Sequence, residues 1–189
     1  IYLAASRHIE VVDNVVSGQA EREVNSANGI HLWNSESIRV ERNTVQGHRD
    51  GIYIEFGKES IFNENVAEHN LRYGLHFMFS DDSHYARNTF RHNGAGAAVM
   101  YSSGITMTEN DFSHNWGISI YGLLLKDIRD SEITDNRFYR NTTGIYAEGS
   151  TRTRIEGNTF ERNGWGVRLF SSSYDNEFTR NNFVGNSFD

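Results

Sequence analysis

Three side chains near the middle of the chain could together bind a soft metal ion. His76 and Met78 are two residues apart, so on a β-strand they would share a face about 6.5 Å apart. Met100 follows Met78 by 22 residues. One imidazole nitrogen and two thioether sulfurs, without a cluster of hard oxygen ligands, favour Cu(I) over calcium, magnesium or structural zinc. Alternatively, the methionines form an adaptable strip that packs against a partner protein.

The 22-residue interval belongs to a repeat that runs through the chain. Seven glycines recur at steps of 22, 23, 22, 26, 22 and 22 residues: Gly29, Gly51, Gly74, Gly96, Gly122, Gly144 and Gly166. An asparagine follows each glycine by 14 or 15 residues: Asn43, Asn65, Asn88, Asn110, Asn136, Asn158 and Asn181. A fixed period of this length indicates stacked units, in which equivalent residues form ladders. Met100 would then lie about 4.8 Å from Met78, in the next coil.

Within each repeat, apolar residues alternate with other residues, as in Gly51-Ile52-Tyr53-Ile54, and alternation over short runs indicates strands. Three such strands per repeat predict an all-β fold, a right-handed parallel β-helix of about eight coils that forms one domain over residues 1–189. We expect the glycines at corners with positive φ. We expect the asparagines to tolerate left-handed geometry and to bond to their equivalents one coil away.

Composition excludes several classes of protein. The 189 residues carry a net charge of −7, which argues against nucleic-acid binding. There is no cysteine, so neither a disulfide framework nor a thiolate metal site can form. No apolar run reaches the roughly 18 residues of a membrane span. The chain opens with Ile1 and ends within the repeat pattern, so we expect it to be part of a longer protein.

Two ladders are predicted to face outward after each glycine. Residues two positions after the glycine are His31, Tyr53, His76, Ala98, Leu124, Tyr146 and Arg168. Residues four positions after it are Trp33, Glu55, Met78, Met100, Lys126, Glu148 and Phe170. Glu55 is thus one coil beyond Met78 and could be a fourth contact for the metal. We predict a partner surface along the aromatic edge of Trp33, Tyr53, Phe79 and Tyr101, with the inserted loop Trp116–Tyr121 as a lip beside it.

Two other clusters leave alternatives open. His69, His92 and His114 occupy one position in three successive coils and could bind a divalent ion. The same position continues as Arg140 and Arg162, which instead suggests an exposed corner.

An acidic pair, Glu109 and Asp135, also falls at one position in successive coils. Two carboxylates with different roles could cleave a polysaccharide. A carbohydrate-binding or carbohydrate-cleaving β-helix is therefore the alternative function.

Several stretches are similar to a known family. LRYGLHFMFS at residues 71–80 and YGLLLKD at residues 121–127, together with residues 49–56 and 98–102, resemble NosD proteins. That resemblance implies a periplasmic β-helix that handles copper during maturation of nitrous oxide reductase and is not itself an enzyme. It further implies an ABC-transporter ATPase and permease and a copper-donating lipoprotein chaperone as partners. We therefore predict a copper-binding scaffold with Cu(I) at His76, Met78, Met100 and Glu55.

Overall fold

Three parallel sheets of eight strands each make up the described chain, which covers residues 1–117 and 120–189 in the computed structural model. The first sheet contains β1 (Tyr2–Ala4), β4 (Ile30–Trp33), β7 (Asp50–Glu55), β10 (Tyr73–Met78), β13 (Ala95–Met100), β16 (Tyr121–Lys126), β19 (Thr143–Glu148) and β22 (Trp165–Leu169). The second contains β2 (Glu10–Val12), β5 (Arg39–Glu41), β8 (Ile61–Asn63), β11 (His84–Ala86), β14 (Thr106–Thr108), β17 (Arg129–Thr134), β20 (Thr151–Glu156) and β23 (Glu177–Thr179). The third contains β3 (Val15–Ser17), β6 (Thr44–Gln46), β9 (Val66–Glu68), β12 (Thr89–Arg91), β15 (Asp111–Ser113), β18 (Arg137–Tyr139), β21 (Thr159–Glu161) and β24 (Asn182–Val184).

Strand pairing follows the repeat. Each strand pairs in parallel with the equivalent strand of the next coil, and seven such steps lead from β1 to β22. This arrangement confirms the predicted all-β parallel β-helix. The described residues contain one short helix, a single 3₁₀ turn at Glu23–Asn25 between β3 and β4. No helix among them has the length and apolar character needed to cross a bilayer.

The core is a stack of apolar ladders. Alternating side chains of every strand point inward, and their removal from water drives the coils together. The third sheet contributes a phenylalanine column whose ring centroids are 4.8 to 5.3 Å apart: Phe90, Phe112, Phe138, Phe160 and Phe183. Met107 is fully buried in this core, as its inward position predicts.

The repeat asparagines form a hydrogen-bonded ladder at one corner. In Asn88, the side-chain Nδ2 donates to Oδ1 of Asn110 at 3.0 Å and to the carbonyl of Phe62 at 2.9 Å. The left-handed conformation belongs to the residue before each asparagine, such as Arg87 with φ of 52°. The predicted bonding is therefore confirmed, whereas the predicted left-handed geometry of the asparagines is wrong.

The repeat glycines are needed for close approach between coils. None of them has positive φ, so the expectation of left-handed corners at these glycines is wrong. A Cβ on Gly51 would lie 2.7 Å from the carbonyl oxygen of Gly74 and 2.8 Å from Nδ2 of Asn70. Real Cβ atoms do not approach backbone this closely, so only glycine fits where consecutive coils pack.

Candidate functional site

Three neighbouring strands of the first sheet hold the predicted ligands. Met78 at the end of β10 is in register with Met100 of β13 on one side and with Glu55 of β7 on the other. His76, two residues before Met78, is in register with Tyr53 and Ala98. The structure thus places all four predicted residues on three adjacent coils. The two methionines and Glu55 are half-buried.

His76 lies on the outer face of the first sheet but is covered there. Its flanking residues Leu75 and Phe77 belong to the core, so the imidazole projects to the opposite face. Only 5% of His76 is exposed, and Ala98 beside it is fully buried. The rings of Tyr53 and Tyr73 pack against the imidazole with centroids 5.0 and 4.8 Å away. The site is consequently more enclosed than an outward ladder predicts.

A buried carboxylate contacts the imidazole of His76. Asp50 Oδ2 lies 3.3 Å from His76 Nδ1, and the Asp50 side chain has no exposed area. Arg72 holds the same carboxylate through two bonds, Nε to Oδ1 at 2.8 Å and Nη2 to Oδ2 at 2.5 Å. Burial pushes the pKa of Asp50 upward, but hydrogen bonds from Arg72 and His76 outweigh it and lower the pKa to about 2.

Two groups contact Nδ1 of His76, the Asp50 carboxylate and, at 3.4 Å, Nη2 of Arg72. Because Asp50 stays ionised and Arg72 already bonds to it, we assign Nδ1–H as a donor to Asp50. Nε2 of His76 is buried and has no hydrogen-bond partner among the described residues. A nitrogen with a free lone pair, opposite one bonded to a carboxylate, is the usual condition of a metal-binding histidine.

Asp50 and Arg72 are residues of the candidate site that reasoning from the sequence missed. A signal was present, because the two opposite charges lie 22 residues apart, one residue short of the local coil length. Strict alternation, however, would put Asp50 on the inner face with Ile52, whereas its carboxylate contacts the outer-face His76. Position in the repeat was therefore insufficient to find this pair.

Glu55 already has one partner. Its Oε2 accepts a hydrogen bond of 3.1 Å from the hydroxyl of Tyr53. Burial and the neighbouring Glu55 carboxylate raise the pKa of Tyr53 to about 12, so the phenol remains a donor. The other carboxylate oxygen of Glu55 is free of this bond.

The aromatic edge differs in two members from the prediction. Trp33 is in register with Glu55 and lies outside the stack. Phe79 stacks between Phe56 and Tyr101 with centroid separations of 5.4 and 5.0 Å, and each ring is more than 40% exposed. Tyr53 lies instead in the column of His31 and His76. Phe56 therefore takes the place predicted for Tyr53.

The predicted lip falls partly outside the described residues. Ile118 and Ser119 within Trp116–Tyr121 are not described by the structure. Trp116, at the start of this segment, is 61% exposed.

The three histidines stack instead of converging. The rings of His69, His92 and His114 lie face to face, with centroids 5.1 and 5.0 Å apart. Burial lowers the pKa of His114, and the positive charge of protonated His92 adds to this shift. Over residues 1–117 and 120–189, no three His, Asp or Glu side chains meet in a group that could hold a metal ion. This geometry gives no support to a divalent-metal site at the stack.

The acidic pair lies among arginines on the surface. Both Glu109 and Asp135 are exposed and have left-handed backbone. Glu109 is 3.6 Å from Arg87, and Asp135 lines a cleft with Arg154 and Arg180. Exposed pairs of this kind contribute little to stability.

Comparison with protein families identifies relatives of the whole chain. The family model "Periplasmic copper-binding protein (NosD)" matches residues 1–189. The "Probable ABC transporter binding protein NosD" of Stutzerimonas stutzeri is 35% identical over 202 residues, covering 98% of this chain and 45% of the relative. The chain thus spans less than half the length of that relative. These matches confirm the resemblance found in the sequence.

Solved structures share the fold. The periplasmic alginate epimerase AlgG superposes with a TM-score of 0.76 at 17% identity, covering 96% of this chain and 46% of the epimerase. The A-module of the mannuronan C-5 epimerase AlgE4 from Azotobacter vinelandii gives 0.58 at 15% identity, covering 96% of this chain and 71% of that chain. At such identities the likeness establishes the β-helix and nothing about activity.

Proposed function

The chain belongs to the NosD family of periplasmic copper-binding proteins, and from this premise we propose that it binds Cu(I) on the outer face of its first sheet. His76, Met78 and Met100 supply the principal ligands, and Glu55 is a fourth contact at the edge of the site. Copper is the cargo of this protein, which holds the ion and passes it on without changing it chemically.

One observation carries the proposal: the pairing of His76 Nδ1 with the ionised Asp50 carboxylate. Nε2 of His76 is left buried and without a partner among the described residues. A buried polar atom without a hydrogen bond costs free energy, so its persistence calls for an explanation. A bound metal ion would supply the missing partner, and Asp50 would orient the ring and increase its basicity.

The two thioethers determine which metal is favoured. Met78 and Met100 are register partners at the ends of adjacent strands, where backbones are separated by about 4.8 Å. Thioether sulfur is a soft ligand that selects Cu(I) over the harder divalent ions. Flexible methionine side chains can also adjust as the ion enters and leaves.

We further propose that the bound copper serves assembly of the copper centre of nitrous oxide reductase in the periplasm. A lipoprotein chaperone would donate the ion, and an ABC-transporter ATPase and permease would work with this protein. The family description, the name of the Stutzerimonas relative and the sequence stretches shared with NosD proteins support this role. In this role the chain is a scaffold, not an enzyme.

An anaerobic Cu(I) titration against a chromophoric chelator tests the site. We expect saturable binding near one equivalent, with an affinity at least about tenfold weaker in the double variant Met78→Leu/Met100→Leu, because leucine keeps the volume but removes the ligand sulfurs. Met107→Leu is the matched control. It removes a core methionine, so its Cu(I) affinity should equal that of the wild type.

Equal Cu(I) affinity in the wild type and the double variant would refute the site. Oligosaccharide binding that is lost in Glu109→Gln or Asp135→Asn, together with indifference to copper, would instead support the carbohydrate alternative.

A further inference from the structure

A column of basic side chains lies at the corner between the third and first sheets. Each member is the first residue after a third-sheet strand and has a left-handed backbone, with φ between 52° and 57°. We call this set the basic column: His69, His92, His114, Arg140 and Arg162. None of these side chains belongs to the copper site.

A cavity of about 500 Å³ opens on the basic column. The described residues that line it are His92, His114, Trp116, Arg140 and Arg162, and none of these is acidic. The exposed indole of Trp116 forms the apolar part of this lining. The chain has a net charge of −7, whereas the cavity is lined by basic side chains beside an exposed aromatic ring. The charge of this lining is therefore opposite in sign to that of the whole chain.

Among the described residues, neither arginine of the column is held by an aspartate through two hydrogen bonds, as other arginines of this fold are. Arg42 and Arg152 share their left-handed backbone, and each holds an aspartate of the preceding coil through two hydrogen bonds of 2.6 to 2.9 Å. Arg140, by contrast, has no carboxylate within 4.0 Å among the described residues and lies 5.2 Å from the ring of Tyr139.

Arg162 makes one long ion-pair contact with a described carboxylate. Its Nε lies 3.7 Å from Glu161, its neighbour in the chain. The two guanidinium groups beside the cavity are therefore available to an external anion, and a guanidinium binds a carboxylate through two parallel hydrogen bonds.

The stacked imidazoles present their ring edges, and not their faces, to an external ligand. Since the rings of His69, His92 and His114 cover one another, an external group meets their edges, which carry the ring nitrogens. Edge contacts suit hydrogen-bond acceptors such as carboxylates and do not suit stacking of a sugar ring.

We propose that the basic column binds the carboxylates of an extended acidic segment of a partner protein. Five positions, each one coil apart, span about 19 Å, which matches about six residues of extended chain. A single small anion would contact only two neighbouring positions and leave the others unused. Trp116 provides a contact for an apolar residue of the same segment.

Fluorescence anisotropy with a fluorescein-labelled hexaglutamate peptide tests this proposal. We expect saturable binding that weakens with added salt, and a loss of about tenfold or more in affinity in the double variant Arg140→Gln/Arg162→Gln, because both bidentate contacts are removed. Arg42→Gln/Arg152→Gln is the matched control, with the same residue type, backbone conformation and change in net charge.

Three results would overturn the proposal: no peptide binding, equal losses in the column and control variants, or binding of trigalacturonate but not of hexaglutamate. Cu(I) affinity should be unchanged in Arg140→Gln/Arg162→Gln, because the column borders the start of the first-sheet strands and the methionines lie at their ends. Failure of the peptide to bind would thus leave the copper site unaffected, and loss of the copper site would leave the basic column intact.

Discussion

At the level of single residues, Asp50 links the stability of the solenoid to its site. Its carboxylate is fully buried and is held by Arg72, and it orients the imidazole of His76. A buried charge is tolerated only when it is paired and hydrogen-bonded, and Asp50 meets that condition. Removing Arg72 would leave the buried carboxylate without its guanidinium partner, whereas removing Asp50 would leave Nδ1 of His76 without its acceptor.

The lowered pKa of Asp50 predicts a specific loss of stability in acid. The pKa of Asp50 in the folded protein is about 2, below the ordinary value of 3.8. The stabilisation of the folded state by the ionised carboxylate is therefore present above pH 3.8 and is lost as the pH falls toward 2. The groups that face Asp50 are Arg72 and His76, and their hydrogen bonds and charges favour the ionised carboxylate. In the copper-free protein, the wild type should have a higher free energy of unfolding than Asp50→Asn at pH 5. This advantage should shrink by about 2 kcal/mol between pH 5 and pH 2.

Urea unfolding of both proteins across this pH range measures that difference. Asp111→Asn is a suitable control, because Asp111 is a partly exposed carboxylate that pairs with Arg137 at the surface. A difference between wild type and Asp50→Asn that stays constant with pH would contradict the assignment.

At the level of strands and corners, ladders set the register of the coils. Each asparagine of the repeat from Asn43 to Asn158 bonds to the coils before and after it, as Asn88 does, so a shift of one residue would break every bond of the ladder. The same ladders align Met78 with Met100, although neither methionine takes part in them. The position of the site therefore depends on corners that lie far from it in sequence.

Asn88→Ala should destabilise the protein by about 2 to 4 kcal/mol. The change leaves the backbone N–H and the Nδ2 of Asn65 without their acceptor, and unsatisfied buried donors cost about 1 to 3 kcal/mol each. Urea unfolding at neutral pH measures the effect. Asn182→Ala, at an exposed asparagine, should cost less than about 0.5 kcal/mol. Similar losses in the two variants would show that the ladder does not stabilise the corner.

At the level of the whole molecule, the first sheet separates two surfaces of different chemistry. The basic column lies at the start of its strands, and the methionines and the stack of Phe56, Phe79 and Tyr101 lie at their ends. Stacked repeats generate such long, continuous surfaces because each ladder runs the length of the solenoid. The architecture thus allows one face to bind copper and another to engage a partner.

Salt should have little effect on the stability of the molecule. Most ion pairs join side chains that are about half exposed, as in Arg152–Asp130, where 49% and 53% of the side chains are exposed. Added salt weakens these pairs but also screens the self-repulsion that comes with a net charge of −7. The free energy of unfolding in urea should change by less than about 1 kcal/mol between low and moderate NaCl concentration. A loss several times larger would show that surface ion pairs are a main source of stability.

The sequence by itself determined the repeat, the parallel β-helix and the alignment of the predicted ligands. Equal spacing of equivalent residues is sufficient for this, because stacked coils place such residues in register. For that reason the spacing alone predicts Met78, Met100 and Glu55 on adjacent strands, where they are found. The stretches shared with NosD proteins likewise identified the family.

Only the tertiary structure decided what surrounds those ligands. Asp50 reaches His76 from a position where strict alternation would turn it inward, and Phe56 replaces Tyr53 in the aromatic edge because it follows its strand with φ of 55°. Burial of His76, and the isolation of its Nε2, depend on neighbours in other coils. A repeat specifies which residues are equivalent, but local backbone conformation specifies where each side chain points, and a period alone does not encode it.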